Sequence, residues 1–165
     1  MRSIPLPAIC VLLLLFSAAG AQDSVAVTKR QPAGTAGVIA AKEYVFQAQT
    51  ATPMSGRVLQ LTYGYELKVM KDTVVAYLPY FGRAYAAPTD PTKGGIQFTA
   101  AQFTYNVQER KKGGWDISIV PSDGGDVRQL TLSVSKSGYS TLQVLSNNRQ
   151  PISFYGIVTG LKRKK

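Results

Sequence analysis

The stretch Leu59-Gln60-Leu61-Thr62-Tyr63-Gly64-Tyr65-Glu66-Leu67-Lys68-Val69 decides the fold class. Leu59, Leu61, Tyr63, Tyr65, Leu67 and Val69 take every second position, with Gln60, Thr62, Gly64, Glu66 and Lys68 between them. Successive side chains on a strand point to opposite faces, so this spacing puts six apolar residues on one side. It predicts one long strand with a whole face against a core. Lys71-Asp72 then reads as a tight turn into a strand over Thr73–Leu78, ended by Pro79, which has no amide hydrogen for a ladder.

The same period runs outward in both directions. Tyr44, Phe46 and Ala48 alternate with Val45, Gln47 and Gln49 as a first, half-exposed strand, punctuated by Pro53 and Gly56. Beyond the loop Phe81–Gly95, the alternation resumes at Ile96 and Phe98, then at Phe103, Tyr105 and Val107. Trp115, Ile117 and Ile119 follow the polar turn Arg110–Gly114, and Leu130, Leu132 and Val134 follow Pro121–Asp126. Leu142 and Val144 precede the loop Ser146–Pro151, and Ile152–Val158 is the last strand before Gly160. Short strands with turn clusters every 8–12 residues or so are the pattern of an antiparallel sandwich or barrel. No helical stretch is long enough for a βαβ crossover. The expected fold is therefore all-β: a single antiparallel meander of eight or nine strands, forming a barrel or sandwich and resembling a lipocalin at its most closed.

Composition bounds the chemistry. The 165 residues include no His and one Cys, with 19 Lys and Arg against 9 Asp and Glu. Without His there is no Ser-His-Asp or Cys-His machinery and no imidazole metal ligand. Cys10 lies in the apolar run Ile9–Phe16, behind Arg2 and ahead of Ala19-Gly20-Ala21. That order of charge, apolar run and small residues is an export signal, so residues 1–21 read as a signal peptide. The apolar run is about half of what a membrane span needs. A lipidated Cys would follow the run, whereas Cys10 sits near its start.

Residues 22–41, broken by Pro32, Gly34 and Gly37, read as a flexible lead-in with a short helix over Val38–Lys42. The β domain spans residues 42–161. Residues 162–165 are a basic tail, Lys162-Arg163-Lys164-Lys165. Removing residues 1–21 takes away one Arg, and setting the tail aside leaves +5 on the body. The tail reads first as a solvated end and second as a contact for an anionic envelope surface. An exported protein leaves the nucleic-acid compartment, so nucleic acid is not an expected partner. A glycan, lipid or protein partner stays open.

The segment Tyr77-Leu78-Pro79-Tyr80-Phe81-Gly82-Arg83-Ala84-Tyr85 resembles the hallmark of the bacterial domain-of-unknown-function family 4251, found in exported Bacteroidetes proteins. Gly94-Gly95-Ile96-x-Phe98, Ser146-Asn147-Asn148-Arg149 and Ile152-Ser153-Phe154-Tyr155-Gly156 extend the likeness over about Tyr44 to Leu161. The resemblance implies an extracytoplasmic β-rich domain with a helical lead-in. It brings no activity and no catalytic residue.

Tyr80, Phe81 and Tyr85 surround Arg83, whose flat guanidinium can stack on a ring or fork onto a carboxylate. They are the candidate ligand-binding residues, with a structural corner as the competing reading. Pro121-Ser122-Asp123-Gly124-Gly125-Asp126 supplies two carboxylates, too few for calcium, and reads as a turn. Thr92-Lys93-Gly94-Gly95 lacks the order of a phosphate loop. Glu66 falls on the polar face of its strand beside Lys68, as a solvated residue rather than a catalytic acid. Trp115 after Gly113-Gly114 reads as a packing anchor. No metal, cofactor or catalytic group is assigned. The expected function is a non-enzymatic binding or interaction module of the periplasm or cell surface. A lipocalin-like carrier of an apolar or amphipathic ligand is the alternative, and a carboxylate-based glycan hydrolase a lower one.

Overall fold

β-branched and aromatic residues at alternate positions stiffen the chain toward extended conformations and leave one apolar face per strand. In the computed structural model, which describes residues 34–85 and 94–161, that pattern forms one short helix and ten strands. The helix is α1 (Thr35–Ala41) and the first strands are β1 (Tyr44–Pro53), β2 (Leu59–Gln60), β3 (Glu66–Val69), β4 (Val74–Leu78) and β5 (Ile96–Ala100). There follow β6 (Phe103–Glu109), β7 (Trp115–Pro121), β8 (Val127–Val134), β9 (Tyr139–Ser146) and β10 (Ile152–Gly160). The signal segment 1–21, the tail Lys162–Lys165 and the pair Thr92-Lys93 lie outside the described residues.

All described strand pairings are antiparallel. The order is β5-β4-β3-β1-β10-β9-β8-β7-β6, with the two-residue β2 paired to β1 off this path. Nine strands thus curl into a nearly closed barrel, as the meander predicts, with β1 and β10 side by side. Inward residues such as Phe46, Leu67, Ile117, Leu130, Leu142 and Phe154 are fully buried and belong to one continuous cluster. Each such side chain contributes roughly 1.5–3 kcal/mol by leaving water.

The helix joins that cluster. Seven residues do not hold a helix alone, but Val38 and Ile39 are buried against the barrel. The helix begins three residues before the Val38–Lys42 reading and stops at Lys42. There φ is 52°, and the Lys42 and Glu43 amides return to the Ile39 and Val38 carbonyls.

β5 and β6 are consecutive in sequence yet stand at opposite ends of the strand order, so the seam of the barrel lies between them. At one end, bonds to the β7–β8 turn tie down the residues that join β5 to β6. The Ala101 amide donates to Asp123 Oδ2 at 3.2 Å, and the Ser122 amide to the Gln102 carbonyl at 2.9 Å. Further along β6, the Tyr105 hydroxyl meets that of buried Tyr44 at 3.2 Å, and Lys42 Nζ lies 4.8 Å from the Tyr105 ring centre.

The long strand predicted over Leu59–Val69 is broken. Leu67 and Val69 are buried as expected and Leu61 packs partly on the core, but Tyr63 is fully exposed. The reason is the partner strand. β1 pairs β3 through Tyr44–Gln47 and β2 through Thr50 and Ala51, leaving only Ala48 and Gln49 opposite residues 61–65. Those five residues leave the sheet as an excursion. The Leu61 amide, bonded to the Gln49 carbonyl at 2.9 Å, and the Tyr65 carbonyl, bonded to the Ala48 amide at 2.9 Å, pin its ends. Gly64, at φ 105°, lets the chain reverse where a side chain would be strained.

β1 is irregular at the same place on its other side. Its register against β10 shifts between Ala48 and Thr50, leaving Gln49 as an extra bulge residue. There β10 approaches so closely that a Cβ on Gly156 would lie 2.0 Å from the Gln47 carbonyl oxygen.

Candidate functional site

The Tyr80–Tyr85 segment is two things at once. Its backbone is built into the barrel rim: Ala84 bridges Arg149, the Tyr85 amide bonds the Asn148 carbonyl at 2.7 Å, and the Gln150 amide bonds the Arg83 carbonyl at 3.0 Å. The Tyr80 hydroxyl turns inward and shares its proton between the Arg83 carbonyl at 2.7 Å and the Gln150 carbonyl at 3.1 Å. Gly82 allows this fold, since a Cβ there would lie 2.4 Å from the Tyr80 hydroxyl. Burial pushes the Tyr80 phenol above its ordinary range, while the Gln150 backbone bond and the Arg149 charge pull the other way.

The guanidinium that faces the Tyr80 ring is that of Arg149, 5.2 Å from the ring centre, and not that of Arg83. Arg149 also donates to the Gly95 carbonyl at 2.8 Å and pairs with Asp126 through Nε at 3.2 Å. The other Asp126 oxygen accepts the Asn148 amide at 2.9 Å. Arg149 and Asp126 are only 14% and 23% exposed, so this pair is shielded from the screening that weakens surface ion pairs. Phe81, Arg83 and Tyr85 are exposed. Tyr80 is thus a corner clamp, whereas Phe81, Arg83 and Tyr85 stand free on the rim.

Four of the described carboxylates, those of Asp123, Asp126, Asp116 and Glu66, are bound into the structure. Asp123 and Asp126 both line a pocket of about 380 Å³ between β5 and the β7–β8 turn. Yet Asp123 holds the Ala101 amide and Asp126 holds Arg149. Asp116 accepts the Ser133 hydroxyl at 2.6 Å and pairs with Arg110 at 2.7 Å. The Ser133 bond, with help from Arg110, holds the Asp116 carboxyl below the usual carboxylate range against a smaller effect of burial. Glu66 pairs with Lys68 on the outer face. Among the described residues, no group of three or more His, Cys, Asp or Glu could hold a metal ion.

A larger groove, of about 600 Å³, lies on the outer wall beside the β1 bulge. Its floor is the bulge itself, with Gln47 and Gln49 exposed. One wall is the 61–65 excursion carrying Tyr63, and Gln60, Glu66 and Tyr155 also line it. The rings are organised in pairs. Tyr65 stacks on Tyr77 with centroids 5.8 Å apart, and Tyr139 stacks on Tyr155 at 6.2 Å. Uncharged amides, hydroxyls and half-exposed aromatic faces dominate this surface, and its one carboxylate is neutralised by Lys68.

Alternation alone hides this groove, because it assigns Tyr63 to the core along with Tyr65, which does pack partly against it. Gly64 is the one local cue, since a glycine inside a strand pattern marks a bulge or a break. Among the described residues, no helix is long and apolar enough to cross a membrane.

A family model described as a domain of unknown function, DUF4251, matches residues 27–158. The crystal structure of a DUF4251 family protein from Bacteroides eggerthii DSM 20697 is similar, with a TM-score of 0.56 and 16% identity over 74% of this chain and 83% of that one. At that identity the likeness is one of fold. No curated protein matches the sequence.

Proposed function

The chain belongs to the DUF4251 family of domains of unknown function, and from that premise we propose that it is a non-enzymatic binding module that takes a neutral glycan in the groove beside the β1 bulge. The observation that carries the reading is Tyr63, held fully exposed on an excursion whose two ends are hydrogen-bonded to β1. Together with Tyr65 and Tyr155, which line the same groove, it forms an aromatic patch of the kind that marks an interaction site. The faces of tyrosine rings are electron-rich and attract the slightly positive C–H groups of a sugar ring. Gln47, Gln49 and Gln60 each bring a carbonyl and an NH₂ group, which together match neighbouring hydroxyls.

The two other readings have less behind them. An interior carrier needs room inside the barrel, where the inward side chains form one buried cluster. A carboxylate hydrolase needs a pair of acids free to exchange protons across a bond; Asp123, Asp126, Asp116 and Glu66 are each engaged elsewhere, and of Glu43 and Asp72, which line a third pocket, Glu43 pairs with Lys71. Export to the periplasm or cell surface is part of the proposal. It rests on the charge, apolar run and small residues of positions 1–21.

Affinity electrophoresis through gels holding neutral polysaccharides tests the proposal. Retardation by at least one of them, lost in Tyr63→Ala, is the expected result. Unretarded migration in all of them would remove the reading.

A further inference from the structure

Strand register arranges the outer face in a way the groove alone does not reveal. Tyr77 pairs with Glu66, Glu66 with Gln47, Gln47 with Ile157, and Ile157 with Tyr139. Directly paired residues share a face, and Tyr77, Gln47 and Tyr139 are exposed. One transverse row therefore runs across β4, β3, β1, β10 and β9 on the outside of the barrel. Each end of the row carries a stacked tyrosine pair, Tyr65 with Tyr77 and Tyr139 with Tyr155. Their planes differ by only 13° and 10°. Four inter-strand steps separate the ends, roughly 19 Å along the wall at the usual strand spacing. The groove lies between them, bounded by Tyr65 and Tyr155 themselves.

We infer that the ligand is a linear neutral glycan chain lying across the strands from the Tyr65–Tyr77 pair to the Tyr139–Tyr155 pair, several sugar rings long, and not a single sugar. This rests on the reading of the groove as a glycan site and deepens it. A single sugar over Gln47 reaches neither outer ring of the row, whereas a chain meets an aromatic platform at both ends and amides in the middle. The row also fixes the charge of the chain. Its one acidic residue, Glu66, is paired with Lys68, so among the described residues the row offers no unpaired charge to an acidic or basic polymer. Proline-rich peptides also dock on aromatic grooves. Here, however, the centre is lined by Gln47, Gln49 and Gln60, which suit a polymer bearing hydroxyls on every ring better than an imide backbone without N–H groups.

The test is a calorimetric length series on the full chain, using neutral oligosaccharides from one to eight residues of β-1,4-glucan, β-1,3-glucan and α-mannan. One series is expected to gain about tenfold or more in affinity between the disaccharide and the pentasaccharide, then level off. Tyr77→Ala and Tyr139→Ala should erase that gain. Tyr139→Phe keeps the ring and should bind like the parent, and melting curves confirm that each variant is folded. Short-chain binding that depends on Tyr63 but does not grow with length overturns the extended-chain inference and spares the groove. No binding at any length, or binding of a polyproline probe in place of every glycan, overturns both.

Discussion

Gly156→Ala probes the joint on which the groove is built. A Cβ there would lie 2.0 Å from the Gln47 carbonyl oxygen, 2.9 Å from its carbon and 3.0 Å from Phe46 Cε2. Relief requires β10 to draw back from β1 by more than ~1 Å, since carbon and oxygen need well over 3 Å between them. Hydrogen bonds near 2.9 Å tolerate only a few tenths of that. Overpacking of this kind costs about 1–3 kcal/mol, and one or two weakened ladder bonds add about 1 kcal/mol each. The expected loss is about 3 kcal/mol, which for a domain of this size lowers the melting temperature by roughly 12 °C. Urea titration read by Trp115, the one tryptophan and one that packs against the core, measures it. Gly94→Ala is the control, because a Cβ there meets nothing within 4 Å, and its change should stay within about 0.5 kcal/mol. If Gly156→Ala is as mild as Gly94→Ala, the close approach of β10 to β1 is wrong.

Other substitutions separate clamp from platform. Arg149→Ala leaves Asp126 without its cation, frees the Gly95 carbonyl and uncovers the Tyr80 ring; equilibrium unfolding should register a loss of about 2–4 kcal/mol. Arg83→Ala, at an exposed side chain, should change stability by less than about 0.5 kcal/mol in the same assay. Alkaline titration reports the tyrosines: burial first, then the neighbouring Tyr105, pushes the Tyr44 phenol far up, and Tyr105 and Tyr80 are raised as well. The unfolded chain ionises near pH 10 while the folded phenols keep their protons, so this stability is fully present below about pH 10 and falls above it. Tyr44→Phe should flatten that decline, and unfolding curves between pH 8 and pH 11.5 that are parallel for parent and variant would refute it.

Much of the barrel is readable from residues alone. Ile117 with Ile119, and Leu130 with Leu132 and Val134, alternate in sequence and are all fully buried, because each strand needs only its own period to find its face. The excursion at residues 61–65 could not be read this way. Every residue there obeys the alternation, and what expels Tyr63 is that β1 supplies only Ala48 and Gln49 opposite it, a register set by distant residues. The rim clamp failed to show for a related reason. Arg83 is close to Tyr80 in sequence, but Arg149 reaches the ring because the Ala84–Arg149 bridge brings the β9–β10 loop alongside. Of the candidate residues Tyr80, Phe81, Arg83 and Tyr85, local sequence located the rim but not which arginine faces the ring.

The most direct measurement is calorimetric titration of the full chain with neutral glycans, parent against the Tyr63→Ala/Tyr155→Ala double variant. Saturable binding by the parent, at least about tenfold weaker in a double variant with an unchanged melting temperature, is the predicted result. Binding of equal strength by both proteins, or no heat from the parent with any neutral glycan, would contradict a glycan site at the β1 bulge.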